Sequence, residues 1–236
     1  MGQKFTAKVL NDPKIEAVLA QLYQESDRQI GSLLLHYLPQ LPNLLLGKGI
    51  QWYRTLTDFY RDKYIPIEPQ QREWLYLIAR AIKAQNIVEF GTSYGISTIY
   101  LATAVRDSGG GKVIGTEIVP EKVDRAQKNL AEAGLDSYVE IREGDALQTL
   151  NQINNSIDLV LIDGWGHLAL EVLKLLDPKI RQGGVVICYN VGTFERELFN
   201  YVKFMQNANN GYRSITLNLK AGTEFSVKVA ITDVTQ

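Results

Sequence analysis

The sequence predicts an α/β domain whose mostly parallel, seven-stranded sheet closes with a C-terminal antiparallel hairpin and carries an N-terminal helical cap. Three observations predict it. From Asn86 onward, short apolar runs alternate with helical stretches, which is the texture of parallel βαβ units. In the last quarter two alternating runs are joined by a short turn, a hairpin signal. Before Asn86 the apolar residues follow helical spacing.

The elements follow in order. Asp12 is placed to cap a helix that begins at Pro13 and turns Ile15, Val18, Leu19 and Leu22 to one side. Gly31, Pro39, Pro42, Gly47 and Gly49 then break the pattern into short pieces, and Pro66 and Pro69 bracket a turn before a helix over 70–84. Strands are expected at 87–90, 113–117, 139–141, 157–162 and 185–188, with helices at 98–105, 120–133, near Leu147, and at 168–176. Gly134 and the Gly183-Gly184 pair read as stops after helices. A helix over 196–205 leads into runs at 215–219 and 225–229, joined through 220–223. A parallel sheet that ends this way must contain an antiparallel strand near one edge.

Composition narrows the function. The 236 residues are 45% hydrophobic and 22% charged, ordinary for one globular unit. Lys and Arg number 25 against 26 Asp and Glu, a net charge of -1 that offers no footprint for nucleic acid or an anionic membrane. The expected partner is a small molecule. One cysteine, Cys188, and two histidines exclude an internal disulfide and a thiolate zinc site. With no apolar run of about 18 residues, the reading is a cytoplasmic protein in a reducing compartment.

The chemistry concentrates where strands hand over to helices. Val88-Glu89-Phe90-Gly91-Thr92-Ser93-Tyr94-Gly95-Ile96-Ser97 crosses the first such junction. Its glycines let backbone approach a ligand, and the following helix N-terminus offers free N–H groups. Gly91 and Gly95 stand four apart, which departs from the G-x-G-x-x-G dinucleotide fingerprint and argues against an oxidoreductase. Glu117 closes the second strand, where a carboxylate can accept from a ribose diol. Asp145, after the third, either accepts from an adenine amino group or caps the next helix. Asp163-Gly164-Trp165-Gly166-His167 follows the fourth strand, and Cys188-Tyr189-Asn190 the fifth. His167 reads as a base, a ligand or a partly buried histidine bonded to backbone, and Cys188 as a core residue.

In this order the motifs resemble class I S-adenosylmethionine (SAM)-dependent methyltransferases, and within them the catechol and caffeoyl-coenzyme A O-methyltransferases, over roughly residues 65–231. Gly183-Gly184-Val185-Val186 is similar to the family's lead-in to the fifth strand, and Asn218-Leu219-Lys220-Ala221-Gly222 to its last hairpin loop. The resemblance implies a Rossmann-like core over 85–236 and an acceptor-side helical cap over 1–84, within one compact domain. It implies that Glu89, Gly91, Thr92, Ser93, Gly95 and Ser97 line the amino-acid and ribose region of SAM. Glu117 would hold the ribose, Asp145 and Ala146 would border the adenine, and Asp163 would face the methionine amine.

Metal-dependent members place Asp-Asn after the fifth strand, where this chain has Tyr189-Asn190. Asp163 and Asn190 alone are a poor set for magnesium or calcium. The reading is therefore metal-independent transfer to a small-molecule hydroxyl, with Asp163, His167 and Tyr189 as candidate catalytic groups. Transfer to nitrogen or carbon, and a catalytically silent SAM-binding subunit, are the alternatives. Trp52, Tyr53, Tyr60 and Tyr64 are read either as the roof of the acceptor pocket or as a homodimer interface or core.

Overall fold

A computed structural model describes residues 9–37, 69–219 and 221–230. Trp52, Tyr53, Tyr60, Tyr64 and Lys220 lie outside the described residues.

Helix α1, Pro13–Tyr37, starts as its sequence dictates. Asp12 Oδ1 accepts from the backbone N–H groups of Lys14 at 3.1 Å and Ile15 at 3.3 Å, a cap of about 1 kcal/mol. Ile15, Val18, Leu19 and Leu22 are all buried. Gly31 does not break this helix, contrary to the expectation. A glycine costs only about 1 kcal/mol relative to alanine in a helix, and α1 has a long packed stretch before it. Helix α2, Pro69–Ala81, ends earlier than expected because Lys83 turns left-handed at φ 51°, and Ala84 N–H then bonds back to Ala79 at 2.9 Å.

The strands are β1 (Asn86–Phe90), β2 (Lys112–Glu117), β3 (Val139–Glu143), β4 (Ile157–Ile162), β5 (Ile180–Tyr189), β6 (Tyr212–Leu217) and β7 (Thr223–Lys228). Between them lie helices α3 (Ile96–Asp107), α4 (Pro120–Ala133), α5 (Ala146–Thr149), α6 (Ala169–Leu176) and α7 (Glu195–Gln206). The sheet order is β3-β2-β1-β4-β5-β7-β6. All pairs from β3 to β5 are parallel, and β7 runs antiparallel between β5 and β6. The expected hairpin therefore forms with its second strand inserted, so β6 becomes the edge.

Alternation along the buried strands separates two cores. Leu159, Leu161, Val185, Ile187 and Tyr189 face α1 to α4, whereas Val160, Ile162, Val186 and Cys188 face α5 to α7. The helical segment before the sheet shares the first core with α3 and α4, through Leu19, Leu22, Leu75 and Ala79.

Gly183 and Gly184 are not helix stops. They lie within β5, where its register against β4 shifts between Ile157 and Leu159. Gly183 is left-handed at φ 73°, and a Cβ on Gly184 would meet Arg181 O at 2.8 Å, so the pair serves a bulge. Helix α6 is ended instead by the Asp177–Lys179 turn, which contains Pro178. Among the described residues no helix is long and apolar enough to cross a membrane.

Candidate functional site

Strand order reverses between β1 and β4, and open α/β sheets bind ligands at the carboxyl ends of the strands beside such a switch. Gly91 and Asp163 meet there. Asp163 N–H donates to Phe90 O at 2.9 Å, and Gly91 takes φ 97°. A Cβ on Gly91 would lie 2.7 Å from Gly164 Cα, and one on Gly164 would lie 2.6 Å from the Phe90 ring. Gly91 is required because its loop presses against the Asp163-Gly164 backbone, and Gly164 because the Phe90 ring fills the space of a Cβ. Ser93 and Asn190, after β1 and β5, hold left-handed φ values of 50° and 62° without being glycine. Such backbone strain collects at binding sites.

Glu89 points into this junction fully buried. Its Oε2 accepts from Thr98 Oγ1 at 2.5 Å and Thr92 Oγ1 at 3.2 Å, while Oε1 has no partner. Burial pushes the carboxyl pKa up; the hydroxyls of Ser97, Thr98 and Thr92 oppose this, and the charge of Glu117 adds to it. Ser97 sits in the first turn of α3, with Gly95 at φ 84° just before it. Glu117 is anchored on both oxygens: Oε2 accepts from Ser93 N–H at 2.8 Å, and Oε1 from Ile118 and Val119 N–H at 2.9 and 3.0 Å. Asp145 caps α5 through Oδ1, accepting from Leu147 N–H at 2.9 Å, and Ala146 is buried behind it.

Of the expected catalytic groups, Asp163 lies at the junction itself. Desolvation and the neighbouring Glu89 push its pKa well up, and the positive charge of Arg72 opposes them. His167 stands exposed on the Gly166–Leu168 turn, four residues beyond, which sets aside the buried-histidine reading. Tyr189 is buried and donates its hydroxyl to Gln71 O at 3.0 Å. Burial and the charge of Asp163 push its pKa well up, against the expectation that it accepts a proton. Asn190 O accepts from Phe194 N–H at 2.9 Å.

This donor set does not suit a divalent cation. Asp163 and Asn190 supply one carboxylate and one amide, and the hydroxyl between them in sequence is committed to Gln71. Among the described residues no group of three or more His, Cys, Asp or Glu side chains is arranged to hold a metal ion. Hard cations want several oxygens, preferably anionic.

The sequence reading missed four residues here. Gly115, inside β2, leaves room for Thr92: a Cβ would stand 2.2 Å from Thr92 Oγ1. Ile118, 58% exposed directly after Glu117, offers an apolar face beside the anchored carboxylate. Gln71 and Arg72 enter from α2, and both are buried. Gln71 Nε2 donates to Thr223 Oγ1 at 3.2 Å, tying α2 to the hairpin. Only Ile118 carried a local signal, an apolar residue directly after a strand-end acid.

Residues 88–191 match a methyltransferase domain family. The catechol O-methyltransferase of Niastella koreensis is 39% identical over 131 residues, covering 54% of this chain and 58% of that protein. That of Mycobacterium tuberculosis is 34% identical over 128 residues, covering 54% and 57%. The chain thus spans little more than half the length of these relatives. The cofactor-bound crystal structure of Rv0187 from MTB superposes with a TM-score of 0.65 at 25% identity, covering 73% of this chain and 85% of that one. The Bacillus cereus O-methyltransferase in complex with SAH gives a TM-score of 0.62 at 24% identity, covering 69% and 82%, a likeness of fold. The glycine turn, the strand-end carboxylates and the matched residues agree: over 88–191 the chain matches a methyltransferase domain and is similar to the catechol and caffeoyl-CoA O-methyltransferases.

Proposed function

We propose that the protein binds SAM at the carboxyl edge of its sheet and transfers a methyl group to a hydroxyl of a small molecule without a divalent metal. The observation that carries this reading is the close approach of Gly91 to Gly164 beside three strand-end carboxylates, Glu89, Glu117 and Asp163. The residues fit the cofactor. The unpartnered Oε1 of Glu89 is an orphaned acceptor, and Gly91 and Gly95 open the backbone before the N–H groups of α3. Glu89, Gly91, Thr92, Ser93, Gly95 and Ser97 hold the amino-acid and ribose portion in this reading. Glu117 takes the ribose hydroxyls, Ile118 lies against the base, Asp145 and Ala146 border it, and Asp163 takes the methionine amine.

When bound, SAM supplies a methyl group already activated on sulfonium. The chain has to align an acceptor oxygen and accept its proton. His167 is the base in this proposal, because its imidazole is exposed on the turn that follows β4 and Asp163, whereas the Tyr189 hydroxyl is committed to Gln71. A near-neutral net charge supports a small acceptor over nucleic acid, and the single buried Cys188 is consistent with a reducing, cytoplasmic setting.

The test is calorimetric titration with SAH, followed by transfer of labelled methyl to a panel of phenols, amines and carbon nucleophiles, with and without EDTA. Tight SAH binding and EDTA-resistant methylation of a phenol are expected. Failure to bind SAH removes the reading, and strict dependence on magnesium or calcium removes its metal-independent part.

A further inference from the structure

Arg72 is 1% exposed, in the first turn of α2. Its Nη1 donates to the Tyr23 hydroxyl, and the guanidinium carbon lies 4.9 Å from the centroid of that ring. Among the described residues, that ring face and that hydroxyl are its direct contacts. Nε has no hydrogen-bond partner, and no carboxylate among the described residues forms an ion pair with it. A buried guanidinium without a counter-ion is strongly disfavoured, because its hydration is lost and little replaces it.

Its position points to the reason. Gln71, the preceding residue, is held by Tyr189 at the end of β5 and by Thr223 at the start of β7. This fixes the start of α2 against the carboxyl edge of the sheet, where Asp163 also lies. Arg72 and Asp163 act on each other electrostatically without pairing, and Tyr100, one turn beyond Ser97 on α3, feels the same charge.

We propose that Arg72 binds a carboxylate of a ligand seated at this edge, completing its guanidinium with a planar anion. A guanidinium fork matches a carboxylate in two parallel hydrogen bonds. A monoanion suits the site better than a phosphate, because the carboxyl of Asp163 already lies within electrostatic reach of Arg72. The inference rests on the methyltransferase reading, and the carboxylate has two sources there, the amino-acid portion of the cofactor and an acidic acceptor.

The experiment titrates the full chain and its Arg72→Gln variant with SAH and with methylthioadenosine, which lacks the amino-acid portion, and measures KM for dihydroxybenzoate and for catechol. A cofactor source predicts a loss of roughly ten- to hundredfold in SAH affinity with methylthioadenosine binding unchanged. An acceptor source predicts unchanged SAH binding and a KM for dihydroxybenzoate raised by a similar factor, with catechol unaffected. Either result supports the proposal. No change in any carboxylate ligand, or equal losses for ligands with and without the carboxylate, overturns it. If Arg72→Gln does not fold, Arg72→Lys keeps the charge and is expected to lose the carboxylate preference in part; an unchanged preference overturns the proposal. Should the unmodified chain bind neither SAH nor methylthioadenosine, the methyltransferase reading falls first; binding with no role for Arg72 overturns this inference alone.

Discussion

The hydroxyl of Tyr189 donates to the backbone carbonyl of Gln71 at 3.0 Å, joining the end of the fifth strand to the start of the second described helix. The residue thus serves as a strut where metal-dependent relatives, by the sequence resemblance, would carry a ligand. Replacing Tyr189 with Phe removes one buried hydrogen bond and is expected to lower unfolding free energy by about 1 kcal/mol. Methyl transfer should stay near that of the unmodified chain. Denaturant unfolding and single-turnover rates check both halves, and a rate loss on the order of 10²–10⁴-fold would restore Tyr189 as the proton acceptor.

His167 carries the opposite expectation. On its exposed turn it supports little packing, so His167→Gln should leave SAH affinity and the thermal midpoint unchanged. The rate of methyl transfer should fall on the order of 10²-fold or more, and the fall should shrink at alkaline pH as a phenolic acceptor ionises unaided. A pH–rate profile for both proteins reads this directly.

The five parallel strands and the closing hairpin were legible in the sequence because each rests on local periodicity and punctuation. Glu89, Gly91 and Glu117 were legible for the same reason: they sit at strand ends marked by glycine and by a change of period. Arg72 and Gly115 were not. Arg72 is buried by Tyr23, 49 residues away, and Gly115 matters because Thr92 from another loop needs the space. The role of Gly183 and Gly184 was misread because a glycine pair after a helix looks alike whether it stops that helix or bulges the next strand. Insertion of β7 between β5 and β6 depends on pairing across the sheet, which alternation alone does not specify.

Gly115 provides the sharpest steric test. Its backbone is not left-handed, so Gly115→Ala introduces only the contact with Thr92 Oγ1, which must move. Thr92 also donates to Glu89, and displacing it disturbs that carboxylate. Overpacking of this kind costs about 1–3 kcal/mol. Thermal unfolding should show that loss, and SAH affinity should fall with it. The double variant Gly115→Ala with Thr92→Ser keeps the clashing hydroxyl and should not recover, whereas Thr92→Ala beside Gly115→Ala should recover stability but not affinity.

Glu89 links stability to pH in a direction opposite to most surface acids. Its folded pKa is raised above the unfolded value, chiefly by burial, so the native chain binds more protons than the unfolded one through that window. Stability from this group is therefore present at or below the ordinary carboxylate range and is lost as pH rises toward the folded value. Asp163 acts the same way, for the same first cause. Asp158 acts in reverse. It accepts from Arg181 Nε at 2.6 Å and from the N–H groups of Asn86 and Gln85, which hold its pKa down against burial, so its contribution is lost as pH falls. Glu89→Gln should accordingly raise stability at neutral pH, where the charged carboxylate costs most, and flatten the decline of unfolding free energy above the carboxylate range. In the same protein SAH binding should weaken, because an amide cannot offer two acceptor oxygens. Urea unfolding from acid to mildly alkaline pH, run with and without SAH, separates the two effects. A Glu89→Gln chain that is less stable than its parent at neutral pH would show that the hydrogen bonds from Thr92 and Thr98 outweigh the desolvation of the carboxylate.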